Sequence, residues 1–164
     1  MLETISYKGK EYPKIQSEGF ASQYTFPFAH KMCKGVGLDI GYMKKDWKLR
    51  GAYGIDPTVD PTFDALNLPN AEYDYIFSSH CLEHVDDWVA VLDYWRTMLK
   101  PGGILFLYLP HYKQEYWRPW NNMKHKHIFT PDIIRDYLQD RGWNKIFVTE
   151  GYDLNYSFYA IAEK

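Results

Sequence analysis

Cysteine is scarce. The 164-residue chain carries two, Cys33 and Cys81, which allow at most one disulfide and stand in no pair spaced for zinc or thiol–disulfide chemistry. Both read as reduced thiols in or near the core, where this residue type usually lies. A long apolar run is also missing. The longest, Ile104 to Pro110, falls far short of the ~20 residues that cross a bilayer, and the opening MLETISYKGK has no signal-peptide core, so a soluble, cytoplasmic protein is expected. Neither sign of charge prevails: 19 Lys and Arg against 21 Asp and Glu leave a formal net charge of −2, which disfavours a general polyanion binder and nucleic acid as partner. Internal repeats and low-complexity stretches are absent.

What the chain has in excess is aromatic side chains: six Trp, fifteen Tyr and nine Phe, 18% of the residues. A core this small does not need so many, and some should line a pocket or an interface. The length fits one domain, 1–164, in which residues 1–34 read as an irregular lead-in with a short helix over Phe26–Met32. Short strands are expected at Val36–Gly41, Ala52–Asp56 and Tyr73–Ser78, each ending on glycine or a polar residue. Apolar residues at helical spacing predict a helix over Asp86–Leu99, stopped by Lys100-Pro101-Gly102-Gly103 and followed by a strand over Ile104–Leu109. Thr130-Pro131-Asp132 signals the start of a second helix, which Gly142 ends. Lys145–Glu150 and Ser157–Glu163 read as two closing strands. The alternation implies an α/β fold with a mostly parallel sheet, helices on both faces, and ligands at the carboxyl ends of the strands.

Five segments in a fixed order, GLDIG at 37–41, GID at 54–56, DALNLP at 64–69, YDYIFSSHCLEHVDD at 73–87 and LKPGGILFLYLPH at 99–111, resemble the class I S-adenosylmethionine-dependent methyltransferases, particularly their short type-11-like branch. The resemblance implies a Rossmann-like sheet with an antiparallel C-terminal strand. It also implies S-adenosylmethionine as cofactor, held by Asp39, Ile40 and Gly41 at the glycine turn, Asp56 on the ribose hydroxyls, Asp64 on the adenine amino group with Ala65 and Leu66 against the ring, and Ser78 at a strand end. The chain departs from the family's G-x-G-x-G turn, because Tyr42, Met43, Lys44 and Lys45 follow Gly41 and two of three glycines are missing. Between Asp56 and Asp64 there is also too little chain for a crossover helix and extra strand, which take at least ~10–12 residues, so the crossover after the second strand should be trimmed.

Methyl transfer to a hydroxyl needs a proton acceptor, and His80 and His111, which follow two strands, are the candidates. The segment PHYKQEYWRPWNNMKHKHIFT at 110–130 interleaves rings with bases and reads as a substrate lid, with Tyr112, Tyr116, Trp117, Arg118, Trp120, His125 and His127 facing the acceptor. A small polar acceptor, such as a sugar or phosphosugar methylated on oxygen rather than nitrogen, suits those residues. The same rings would also suit a homodimer patch. No acid or cysteine stands at ligand spacing from the His125-Lys126-His127 pair, so no metal is expected. The alternative is a non-catalytic methyltransferase-like partner subunit, motivated by Tyr42 and Met43. A nicotinamide enzyme is disfavoured by the lack of G-x-G-x-x-G.

Overall fold

The computed structural model describes residues 3–120 and 123–164; the side chains of Ile15, Gln16 and Trp117 lie outside the described residues, and with them the acceptor role expected of Trp117. The lead-in is more ordered than its composition suggests. It opens with an antiparallel hairpin of β1 (Thr4–Tyr7) and β2 (Lys10–Pro13), joined at Lys8 and Gly9 with φ of 48° and 75°. Two consecutive positive φ values are what a tight two-residue hairpin turn requires. A single turn of helix, α1 (Lys14–Ser17), follows, then a 3₁₀ turn at Ala21–Tyr24 and the expected helix α2 (Phe26–Met32).

The main sheet has six strands: β3 (Gly37–Ile40), β4 (Tyr53–Ile55), β5 (Tyr73–Ser79), β6 (Leu99–Pro110), β7 (Asn144–Val148) and β8 (Ser157–Glu163). Their spatial order is β4-β3-β5-β6-β8-β7, with β4, β3, β5 and β6 mutually parallel and β8 antiparallel to both β6 and β7. This is the expected Rossmann-like arrangement with its antiparallel C-terminal strand. No helix or sheet strand lies between β4 and β5, so β4 forms an edge and the crossover is trimmed as expected. β6 begins earlier than expected. A register shift between Tyr73 and Tyr75 absorbs the Pro101-Gly102-Gly103 segment, so the strand resumes with Tyr75 opposite Ile104 instead of starting there.

Helices cover both faces. On one side α3 (Trp88–Met98) and α4 (Pro131–Asp140) bury Val91, Leu92, Trp95, Ile134 and Leu138 against Leu38, Ile76, Leu105, Leu107 and Phe158. On the other, Ala29 of α2 packs with Tyr75, Phe77, Phe106 and Ile161. The alternation along β5, β6 and β8 is the two-residue period of a strand buried on both sides. Both main helices have the caps their sequences signal: Asp87 accepts from Ala90 N at 3.0 Å and Thr130 from Ile133 N at 3.3 Å.

Candidate active site

The carboxyl ends of β3, β4, β5 and β6 open on one edge of the sheet, where Gly41, Asp56 and Ser78 lie. Gly41 leaves β3 at φ 86° and its N–H donates to Ile55 O at 2.8 Å, which folds the turn over the end of β4. Met43 stands two residues on, where the family's turn has its second glycine. Its φ is 62°, so the left-handed geometry is kept without the glycine. The Met43 side chain reaches toward Gly19.

Asp56 organises this turn. One carboxylate oxygen accepts from Met43 N at 2.8 Å, and the other from Thr58 N at 2.9 Å and Thr58 Oγ1 at 2.5 Å. The carboxylate is 8% exposed and keeps acceptor capacity beyond these bonds, since an ionised carboxylate has about four lone-pair sites. Asp39 and Ser78 are buried and are engaged within the sheet. Asp39 Oδ2 accepts from Leu49 N at 2.6 Å, fixing the return to β4, and Ser78 Oγ donates to Ile40 O at 2.9 Å across β3 and β5. Burial pushes the Asp39 carboxyl up to about 7 against the opposing pull of the Leu49 N–H.

The DALNLP segment forms a small turn in which Asp64 Oδ1 accepts from Leu66 N at 2.7 Å. Two residues of α3 hold it: Trp95 Nε1 donates to Ala65 O at 2.7 Å, and Leu68 N donates to the Tyr94 hydroxyl at 3.1 Å. Leu66 is left 59% exposed with Ala65 half-buried beside it, an apolar surface of the kind a flat ring covers. The left-handed turn, the acid at the end of β4 and this apolar edge together fit S-adenosylmethionine.

At the end of β5 the chain turns through His80, itself at φ 50°, into a 3₁₀ turn at Leu82–His84. Here stands a group the sequence did not flag, Glu83, which is 0% exposed, with burial pushing its carboxyl up to about 8. Glu83 Oε1 lies 3.8 Å from His80 Nδ1 and 3.8 Å from His84 Nε2. His80 Nε2 is 2.9 Å from Ser157 Oγ, whose proton goes to Asn155 O at 3.2 Å. Asn155 in turn is held by Asp153, whose other oxygen accepts the Tyr108 hydroxyl at 2.6 Å. This relay from the β7–β8 connection gives no motif in sequence, because it depends on which turns meet. Burial, then the neighbouring His125 and His84, lowers His80 to about 3, so the ring is neutral.

His111 differs from the expectation in its proton. Its Nδ1 lies 3.2 Å from Lys113 N, a backbone N–H that can only donate, so the neutral ring carries its proton on Nε2 and offers a donor rather than a base there. Burial lowers it, and Lys113 adds to that. His111 lines a cavity of about 360 Å³ with Tyr112, Lys113, Asp132 and Tyr152.

The lid segment spans two anchors. Lys126 N and His127 N donate to Glu83 O at 2.6 and 3.3 Å, His127 Nε2 is 2.8 Å from Val85 O, and His84 Nδ1 is 2.9 Å from Lys124 O. These contacts lay His125, 2% exposed, against His84 with ring centroids 4.6 Å apart. At the other anchor Tyr116 packs between Tyr7 and Tyr12 of the hairpin, at 4.6 and 5.4 Å, so it serves the lid's attachment. Tyr112 and Trp120 remain exposed, with the Arg118 guanidinium 5.9 and 5.2 Å from their ring centroids.

Residues 24–147 match a family described as a methyltransferase domain. Among curated proteins none matches the sequence. Among solved structures, a possible histamine N-methyltransferase from Thermotoga maritima superposes with a TM-score of 0.67 at 18% identity, covering 92% of this chain and 96% of that one. The N-methyltransferase NodS from Bradyrhizobium japonicum, bound to S-adenosyl-l-homocysteine, gives 0.62 at 16% identity over 93% and 88%. The 1,6-didemethyltoxoflavin-N1-methyltransferase from Burkholderia thailandensis gives 0.65 at 15% identity over 92% and 80%. These likenesses extend the fold over nearly the whole chain, and the family match covers about three quarters of it: the chain belongs to the class I S-adenosylmethionine-dependent methyltransferases.

Proposed function

We propose that this enzyme methylates an oxygen of a small polar acceptor of the sugar or phosphosugar class. The observation that carries the reading is the packing of Cys81 on Gly41, since His80, Glu83 and His84 neighbour that cysteine in the chain. Bound at that turn, S-adenosylmethionine supplies an electrophilic methyl group. Met43 N–H and Asp56 fix the turn, Asp56 uses its remaining acceptor capacity on the ribose, and Asp64, Ala65 and Leu66 border the adenine.

A neutral amine attacks a methyl group without first losing a proton, whereas a hydroxyl does so poorly. A buried cluster of imidazoles around a carboxylate is therefore a feature that an oxygen acceptor needs more than a nitrogen one. His84 is the partly exposed member of that cluster, and Ser157 holds His80 behind it. The lid aligns the acceptor and excludes water; positioning of this kind supplies ~7–11 kcal/mol of catalysis. Arg118 with Tyr112 and Trp120 gives an anionic, ring-shaped acceptor both a charge and two flat faces.

Two measurements test the proposal. Calorimetry of Asp56→Ala should show S-adenosylmethionine affinity falling at least tenfold, and an unchanged affinity removes the ribose role. Transfer of label from methyl-labelled donor to a panel of sugars, phosphosugars and amines should favour hydroxyls. Labelling of amines alone overturns the oxygen assignment.

A further inference from the structure

The cluster at Glu83 has a property that a proton relay does not explain: the His80 and His84 nitrogens that face its carboxyl both carry lone pairs. His84 Nδ1 is hydrogen-bonded to Lys124 O, which cannot donate, so the ring proton is on Nδ1 and Nε2 carries a lone pair. That lone pair lies 3.8 Å from Glu83 Oε1. His80 is set the same way. Ser157 Oγ spends its proton on Asn155 O, so His80 Nε2 is the donor and the Nδ1 lone pair lies 3.8 Å from Glu83 Oε1.

Among the described residues neither Glu83 oxygen has a hydrogen-bond partner in another residue, although the side chain is fully buried. A separation of 3.8 Å is too long for a hydrogen bond from a protonated carboxyl. It is close to the ~3.4 Å between two ligands of a tetrahedral ion with bonds of ~2.1 Å. His125 completes the set from the lid: one ligand atom each from Glu83, His84 and His125 lie within 4.8 Å of one another. The Lys124 carbonyl on His84 Nδ1 is the outer-shell partner that a metal-bound histidine normally has.

We propose that Glu83, His84 and His125 bind a divalent transition-metal ion of the zinc class, with His80 at the border of the site and one coordination position open to the acceptor oxygen. The ion site stands on the cluster alone; its engagement of the acceptor rests on the oxygen reading above. Two histidines and a carboxylate with an open position are a donor set that suits a Lewis acid. An ion there would lower the pKa of a bound hydroxyl without any histidine acting as base.

The test is a titration of chelator-stripped protein with Co²⁺, whose visible absorption reports its coordination, followed by displacement with Zn²⁺. One ion per chain with a low-coordinate cobalt spectrum is expected, with affinity at least tenfold lower in Glu83→Gln and in His84→Asn. Glu83→Gln keeps the side-chain shape and His84 is partly exposed, and circular dichroism verifies that each variant is folded. Fewer than one ion per chain, or affinity unchanged in both folded variants, overturns the site. S-adenosylmethionine affinity of the same variants should stay at the wild-type value, which separates this outcome from failure of the methyl-donor reading. If the ion binds but labelled methyl reaches hydroxyl acceptors equally well without it, the acceptor's engagement with the ion is overturned.

Discussion

Gly41 and Cys81 touch across the carboxyl ends of β3 and β5: a Cβ on Gly41 would lie 2.6 Å from Cys81 Cβ and 2.7 Å from its sulfur. The glycine that the family's turn requires for approach of the cofactor is thus required here by the chain itself. Gly41→Ala meets this contact and, at φ 86°, backbone strain as well. A loss of about 1–3 kcal/mol in chemical denaturation is expected. Adding Cys81→Ala should restore part of it; no restoration would show that strain alone is responsible.

Asp39 makes stability depend on pH. Its carboxyl is pushed from the ordinary 3.8 up to about 7, so the folded protein keeps a proton that the unfolded chain has already released between those values. Wild-type stability should therefore fall, relative to a group that cannot ionise, as pH rises from about 4 to 7, and the deficit should hold above that. Asp39→Asn keeps an acceptor for Leu49 N. Its thermal midpoint should match wild type near pH 4 and exceed it at pH 8, and parallel profiles across that range would be the contrary result.

Trp95 links the core to the donor site. It is buried in α3, and its indole N–H holds Ala65 O at 2.7 Å. Trp95→Phe removes that donor and leaves a small cavity, at a cost of about 1–3 kcal/mol. S-adenosylmethionine affinity should weaken several-fold in calorimetry while the fold persists by circular dichroism. Full affinity would mean that the Tyr94 hydroxyl on Leu68 N suffices to place the segment.

Tyr116 joins the lid to the hairpin. Tyr116→Ala removes its contacts with Tyr7 and Tyr12, leaving the Lys10–Glu115 pair at 2.9 Å, and an exposed ion pair is worth only about 0–1 kcal/mol. Faster hydrogen exchange in both the hairpin and residues 112–120 is expected, with KM for the acceptor raised and donor affinity retained. Exchange confined to the lid would show that the hairpin stands without it.

The strands and helices of the sheet were legible because each is signalled by local chemistry. Thr130-Pro131-Asp132 caps one helix, Asp87 another, and apolar runs ending in glycine or polar residues mark the parallel strands. The β1–β2 hairpin was not, since its strands are four residues long with no continuous apolar face and Lys8-Gly9 is a weaker turn signal than Asn-Gly. At the site, the positions of Asp56 and the DALNLP turn followed from motif order. Their hydrogen bonds to Met43, Thr58 and Trp95 did not, because these are set by packing. No acid neighbours His125 along the chain, whereas the fold brings Glu83 to it through backbone bonds from the lid.

The trimmed crossover leaves its mark at the rim of the sheet. With no strand beyond it, β4 has an unsatisfied hydrogen-bonding border, the kind of border along which proteins polymerise by strand addition. It is only three residues long, Tyr42 lies against its Gly54, and the Lys48 ammonium donates to Ala52 O just before it. The opposite border, β7, is interrupted by a register shift and carries Lys145 at φ 46°. Both rims thereby carry features that oppose extension of the sheet by a further strand.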